Sequence, residues 1–215
     1  MQRAIASDPK NAEAQHLYGW TLARLGDDSG AVLAFRRALA LDPERTITLS
    51  LIGVVYLDEG RYAAARPWLD SALALDPGFH MPYVWRAAVR SNLGDTAGAR
   101  ADAETAVRLA KGDKWRGEAM IAYVDAQAGD TAAARARIER ILRDDVALAG
   151  AEQPSTGFVL GMLLTMVEQH ERALDLLERV RPRGAEFWFY LRAKELDVLR
   201  SNPRFQRLVE ESKPY

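Results

Sequence analysis

Residues 12–45 read AEAQHLYGWTLARLGDDSGAVLAFRRALALDPER, and residues 46–79 read TITLSLIGVVYLDEGRYAAARPWLDSALALDPGF. The two stretches are one pattern written twice. Gly26 and Gly60 stand 34 positions apart, as do Ala31 and Ala65, and each copy closes on Leu-Asp-Pro, at Leu41-Asp42-Pro43 and Leu75-Asp76-Pro77. Asp8-Pro9 repeats the ending one period upstream, and Gly94 and Ala99 repeat the glycine and alanine one period downstream. A fixed period of this length marks a solenoid, in which each unit is too small to bury a core alone and stacks on its neighbours.

Within the second copy, Leu49, Ile52, Gly53 and Tyr56 fall at helical spacing and form one apolar stripe. Gly60 can take the left-handed conformation that ends a helix. A second stripe follows in Ala65, Leu69, Ala72 and Leu73, and Pro77 stops it, because proline disfavours helix at the residue before it. Small residues stand where the two helices come closest: Gly53 against Ala65 and Ala72, with Gly19, Ala31 and Ala38 as their counterparts in the first copy. Each unit is therefore an αα-hairpin with a tight turn.

This pattern resembles the tetratricopeptide repeat family. The family's small residue at its eighth position is matched by Gly19, Gly53, Ala87, Ala122 and Gly161. Its alanine at the twentieth is matched by Ala31, Ala65, Ala99, Ala134 and Ala173, and its closing proline by Pro9, Pro43 and Pro77. The resemblance implies an all-α fold, a right-handed superhelix of αα-hairpins. It covers residues 1–181, with a partial repeat at 1–11 and repeats near 12–45, 46–79, 80–113, 115–143 and 155–181. Later units depart from the pattern. Lys111 and Val146 replace the closing proline, Glu168 replaces a turn glycine, and the spacing from Ala134 to Ala173 leaves a loop between Asp144 and Pro154.

Residues 185–215 differ in kind. Phe187, Trp188, Tyr190, Leu191 and Leu196 suit a cap over the apolar face that a last repeat leaves exposed. Asn202-Pro203 reads as a helix N-terminus, opening a short helix that carries Phe205, Leu208 and Val209. The run Leu199-Arg200-Ser201-Asn202-Pro203-Arg204-Phe205-Gln206 resembles the close of tetratricopeptide regions in multidomain bacterial regulators. There such a region follows a winged-helix, cyclase or kinase domain. Residues 2–7 read as the tail of a second helix without its first, which suggests a longer parent chain, and the Ala- and Arg-rich composition points to a GC-rich bacterial source.

A net charge of −1 with dispersed arginines gives no electrostatic basis for binding nucleic acid, and no apolar run reaches the ~20 residues of a membrane span. The chain has no cysteine, so it carries no disulfide or thiolate chemistry and its compartment stays open. His16, His80 and His170 lie in different units without partners at ligand spacing, which argues against a metal site. The glycines of note are repeat turns rather than a phosphate cradle, and the carboxylate pairs Asp27-Asp28 and Asp144-Asp145 lie in turns. The sequence points away from an enzyme and requires no cofactor.

In the family, first helices line a groove. That resemblance places His16, Trp20, Arg24, Ser50, Val54, Met81, Val84, Tyr123, Phe158 and Met162 on its lining. Members that clamp a terminal carboxylate use lysine and asparagine where His16 and Trp20 stand, so that activity does not carry over. The mainly apolar lining implies a scaffold binding a protein or peptide segment, with a regulatory module docking within its own parent chain as the alternative. In the third unit Arg86 and Arg90 occupy packing positions and need acidic partners; Asp102 suits Arg86, and Asp125 suits Arg90.

Overall fold

The computed structural model describes residues 11–112, 114–143, 154–180 and 190–212. The chain divides into two compact units, Met1–Leu109 and Ala110–Tyr215. The described residues of both form helices and turns only, arranged as successive αα-hairpins, so the fold is the all-α hairpin solenoid that the repeat implies.

The first unit holds three hairpins: α1 (Ala12–Arg24) with α2 (Asp28–Leu41), α3 (Thr46–Asp58) with α4 (Tyr62–Leu75), and α5 (His80–Asn92) with α6 (Thr96–Leu109). Gly26, Gly60 and Gly94 turn each pair with φ of +79°, +71° and +83°. The Asp27 N–H then reaches back to the Leu22 carbonyl at 2.9 Å and closes the end of α1. The next helix starts one residue on, with the Asp27 carboxylate accepting from the Gly30 N–H at 2.9 Å; Asp95 does the same for Gly98. Gly53 is small because it must be. A Cβ there would stand 2.7 Å from Leu69 Cγ and 3.3 Å from the Ala65 carbonyl oxygen.

Phe35, Leu51, Ile52, Val55, Tyr56, Leu69 and Val89 form the core of this unit with Ala31 and Ala65. Each large apolar side chain buried there contributes roughly 1.5–3 kcal/mol. Helix α3 buries residues around most of its circumference, having hairpins on both sides. The third hairpin substitutes charge for grease. Arg86 donates to both oxygens of Asp102 at 2.8 Å each, as expected, and also to Asp70 on α4 at 2.8 Å. Burial alone would lower the Arg86 pKa, but these carboxylates outweigh it and hold it above the usual arginine value. Arg90 lies 3.1 Å from the same Asp102 and donates to the Gly98 carbonyl at 3.1 Å. Asp125, expected as its partner, belongs to the second unit, where Arg137 Nε stands 3.6 Å away.

The second unit holds α7 (Trp115–Gln127) with α8 (Thr131–Ile141), then α9 (Pro154–Met166) with α10 (His170–Arg179). A 3₁₀ helix (Lys194–Leu199) and α11 (Pro203–Ser212) follow. Gly129 supplies the first turn at φ +84°, and Glu168, standing for a glycine, adopts the same conformation at φ +64°. The expected loop at 144–154 lies outside the described residues up to 153, as do Phe187 and Trp188 of the expected cap. Within the described residues 190–212 the packing is that of a cap: Leu191, Leu196, Leu199, Phe205 and Leu208 join one core with Leu163, Leu164, Leu174 and Leu177. Asn202 accepts from the Arg204 N–H at 2.9 Å, and α11 starts at Pro203.

Candidate peptide-binding faces

Each unit presents one face built from its first helices, and the expected lining residues fall on those helices. In the first unit Trp20 projects from the middle of α1 with 38% of its surface exposed. Arg24, one turn on, is exposed, and Val54 of α3 and Met81 of α5 are partly so. Ala23, Ile47 and Leu57 lie half-buried beside them, packed against the core. These side chains are apolar apart from Arg24, and Glu13, also on α1, is ion-paired with Arg45.

His16, Ser50 and Val84 are buried. His16 Nδ1 lies 2.8 Å from the Thr48 hydroxyl, across the junction between the first two hairpins, and its ring tilts against Phe35 at 5.8 Å. Burial and then the Arg45 charge lower its pKa, against a smaller opposing pull from Glu13. The Ser50 hydroxyl donates back to the Thr46 carbonyl at 2.8 Å. All three hold one repeat position, 34 residues apart, and it is buried in every hairpin of this unit, whereas Trp20 and Val54 hold the position one helical turn on and stay at least partly open.

In the second unit the corresponding face is covered by the chain itself. The Phe158 ring stacks on Tyr190, 4.9 Å between centroids and 20° between planes, and is 9% exposed. The Tyr123 hydroxyl donates to Glu195 at 3.0 Å and accepts from the Gln127 amide at 2.9 Å. Met162 is partly buried against the core that includes Leu196 and Leu199. Sequence reasoning assigned Tyr190 and Leu196 a capping role but did not place Glu195 on Tyr123. No spacing signal links two residues 72 positions apart.

The profile described as tetratricopeptide repeat matches residues 1–46 and 31–78. Among curated proteins, Protein FlbA of Caulobacter vibrioides is 31% identical over 100 residues; the match spans 46% of this chain and 17% of that protein's length. Among solved structures, the thermophilic tetratricopeptide repeat protein TTC0263 of Thermus thermophilus is similar at a TM-score of 0.66 with 16% identity, covering 94% of this chain and 98% of that one. YrrB, described as a TPR protein with an unusual peptide-binding site, is similar at a TM-score of 0.54 with 16% identity, covering 97% of each chain. These last two likenesses concern the fold alone. Residues 1–78 belong to the tetratricopeptide repeat family, and the remainder of the described chain continues its hairpin fold.

Proposed function

We propose that this protein is an interaction scaffold whose first unit binds a segment of another protein along the face made by α1, α3 and α5. The observation that carries the reading is Trp20. A large aromatic group left 38% exposed, beside the apolar Ala23, Ile47, Val54, Leu57 and Met81, has the make-up of an interface anchor. Methionine adds an adaptable contact. The like-folded YrrB carries a peptide-binding site by its description. The ligand expected from this lining is an apolar peptide segment, extended or helical, and the role is binding rather than catalysis.

The test uses peptides selected from a random display library against the full chain, titrated calorimetrically into wild type and Trp20→Ala. Trp20→Ala is expected to weaken binding by at least ~2 kcal/mol, leaving the helical circular dichroism unchanged. Raising the salt concentration is expected to change the affinity little, since few charges line the face. Equal affinities for the two proteins would move the site elsewhere. In a second reading the same face docks another part of a longer parent chain, favoured by the run Leu199–Gln206. A selected peptide that matches the parent reading frame would support it.

A further inference from the structure

We propose that the first-helix face of the second unit is itself a binding site, for a segment that presents an aromatic ring and, five and six residues later, a carboxylate and a leucine. Its resident occupant is the chain's own Tyr190–Leu199. The inference rests on the reading that first-helix faces in this protein bind segments, and it assigns the second such face a ligand chemistry and a built-in competitor.

Three observations support it. The contacts are those of a docked segment. Tyr190 lies over Phe158, Glu195 accepts from Tyr123, and Leu196 is fully buried; Tyr123 and Phe158 are first-helix positions equivalent to groove positions in the first unit. The occupant contains no α-helical turn of its own beyond Tyr190; its regular structure is the 3₁₀ helix Lys194–Leu199, flanked by i→i+3 links from Leu196 N to Ala193 O at 3.0 Å and from Arg200 N to Asp197 O at 3.1 Å. Such 3₁₀ turns are weak in isolation, so the surface beneath gives the segment its shape, as a receptor shapes a bound peptide. Finally, the segment is held down beyond its end by an ionic clasp on the outside of the fold. Arg204 donates to Glu171 at 2.9 Å, to Asp175 at 2.7 Å and to Glu178 at 2.6 Å. The arginine hydrogen bond lowers the Glu178 pKa, and the clasp is open to screening by salt.

A tethered occupant competes at an effective concentration in the millimolar range. An external segment of the same chemistry therefore meets a closed site until the tethered copy is loosened. The test uses the full chain throughout. A fluorescein-labelled synthetic peptide spanning Tyr190–Ser212 is titrated into wild type, Arg204→Glu and Leu196→Asp, with amide hydrogen exchange of residues 194–199 followed in each. Arg204→Glu breaks the clasp without entering the core, and Leu196→Asp expels the leucine. Both variants are expected to speed exchange in the segment and to bind the peptide at least ~10-fold more tightly than wild type. A peptide carrying Tyr190→Ala and Glu195→Ala is expected to lose that gain. If Leu196→Asp unfolds the unit, Arg204→Glu decides. Fast exchange without tighter peptide binding would overturn the proposal. Unchanged exchange in both variants would do so too, because the segment would then be a fixed part of the core. Neither outcome bears on the first unit, whose site is read through Trp20.

Discussion

Asp102 is the residue on which the third hairpin turns. It is 4% exposed, takes two hydrogen bonds from Arg86, and lies within 3.1 Å of Arg90. Removing a buried acid leaves its cations under-compensated, so Asp102→Ala is expected to cost roughly 3 kcal/mol in urea unfolding. Glu59→Ala, which breaks the exposed pair with Arg61, should cost only ~0–1 kcal/mol; equal costs would mean that the network adds nothing. His16 gives a pH dependence. Its folded pKa lies below its ordinary value, so the folded state binds the proton less readily than the unfolded state does. Stability from this group is complete above pH 6.5 and is lost as the pH falls from there through the lowered folded value. Its charged and polar surroundings are Arg45, Glu13 and Thr48. His16→Gln should therefore lose less stability than wild type between about pH 7.5 and 5.5, measured by denaturant titration at each pH. Parallel slopes would assign the effect to other groups.

At the scale of the element, helix stripes and the turn glycines of the first unit were legible in the sequence, because each is a local consequence of backbone geometry. The partner of Arg86 was legible too, since Asp102 lies one hairpin arm away. Its second partner Asp70 was not, because it comes from the neighbouring hairpin and depends on how the two stack. Glu168 shows a different kind of departure. The chain keeps the left-handed turn at φ +64° without the glycine that makes it easy. A non-glycine residue there costs about 1–2 kcal/mol, and its ion pair with Arg135 is long at 3.9 Å, with the Glu168 side chain 81% exposed. Glu168→Gly is expected to raise the melting temperature, by an amount equivalent to about 1 kcal/mol. A lower melting temperature would show that the carboxylate contributes more than the turn costs.

At the scale of the molecule, the repeat period predicted the architecture, but the state of each candidate face depended on contacts far apart in the chain. Trp20 and Tyr123 hold the same repeat position; one is left to solvent and the other is buried against Glu195. Removing residues 185–215 should expose Leu163, Leu164, Leu174 and Leu177, and is expected to lower the melting temperature or cause aggregation in light scattering. A truncated chain as stable and monodisperse as the parent would remove the capping role. The polar ties of the first unit bear on how such a protein can be rearranged. Arg86 reaches back to Asp70 in the preceding hairpin, and His16 reaches forward to Thr48 in the following one. Each junction is thus written for one particular neighbour. Transposing the second and third hairpins would preserve every helix and turn, yet would strand a guanidinium and an imidazole against surfaces with no answering group. The repeats are alike in outline and not interchangeable as parts.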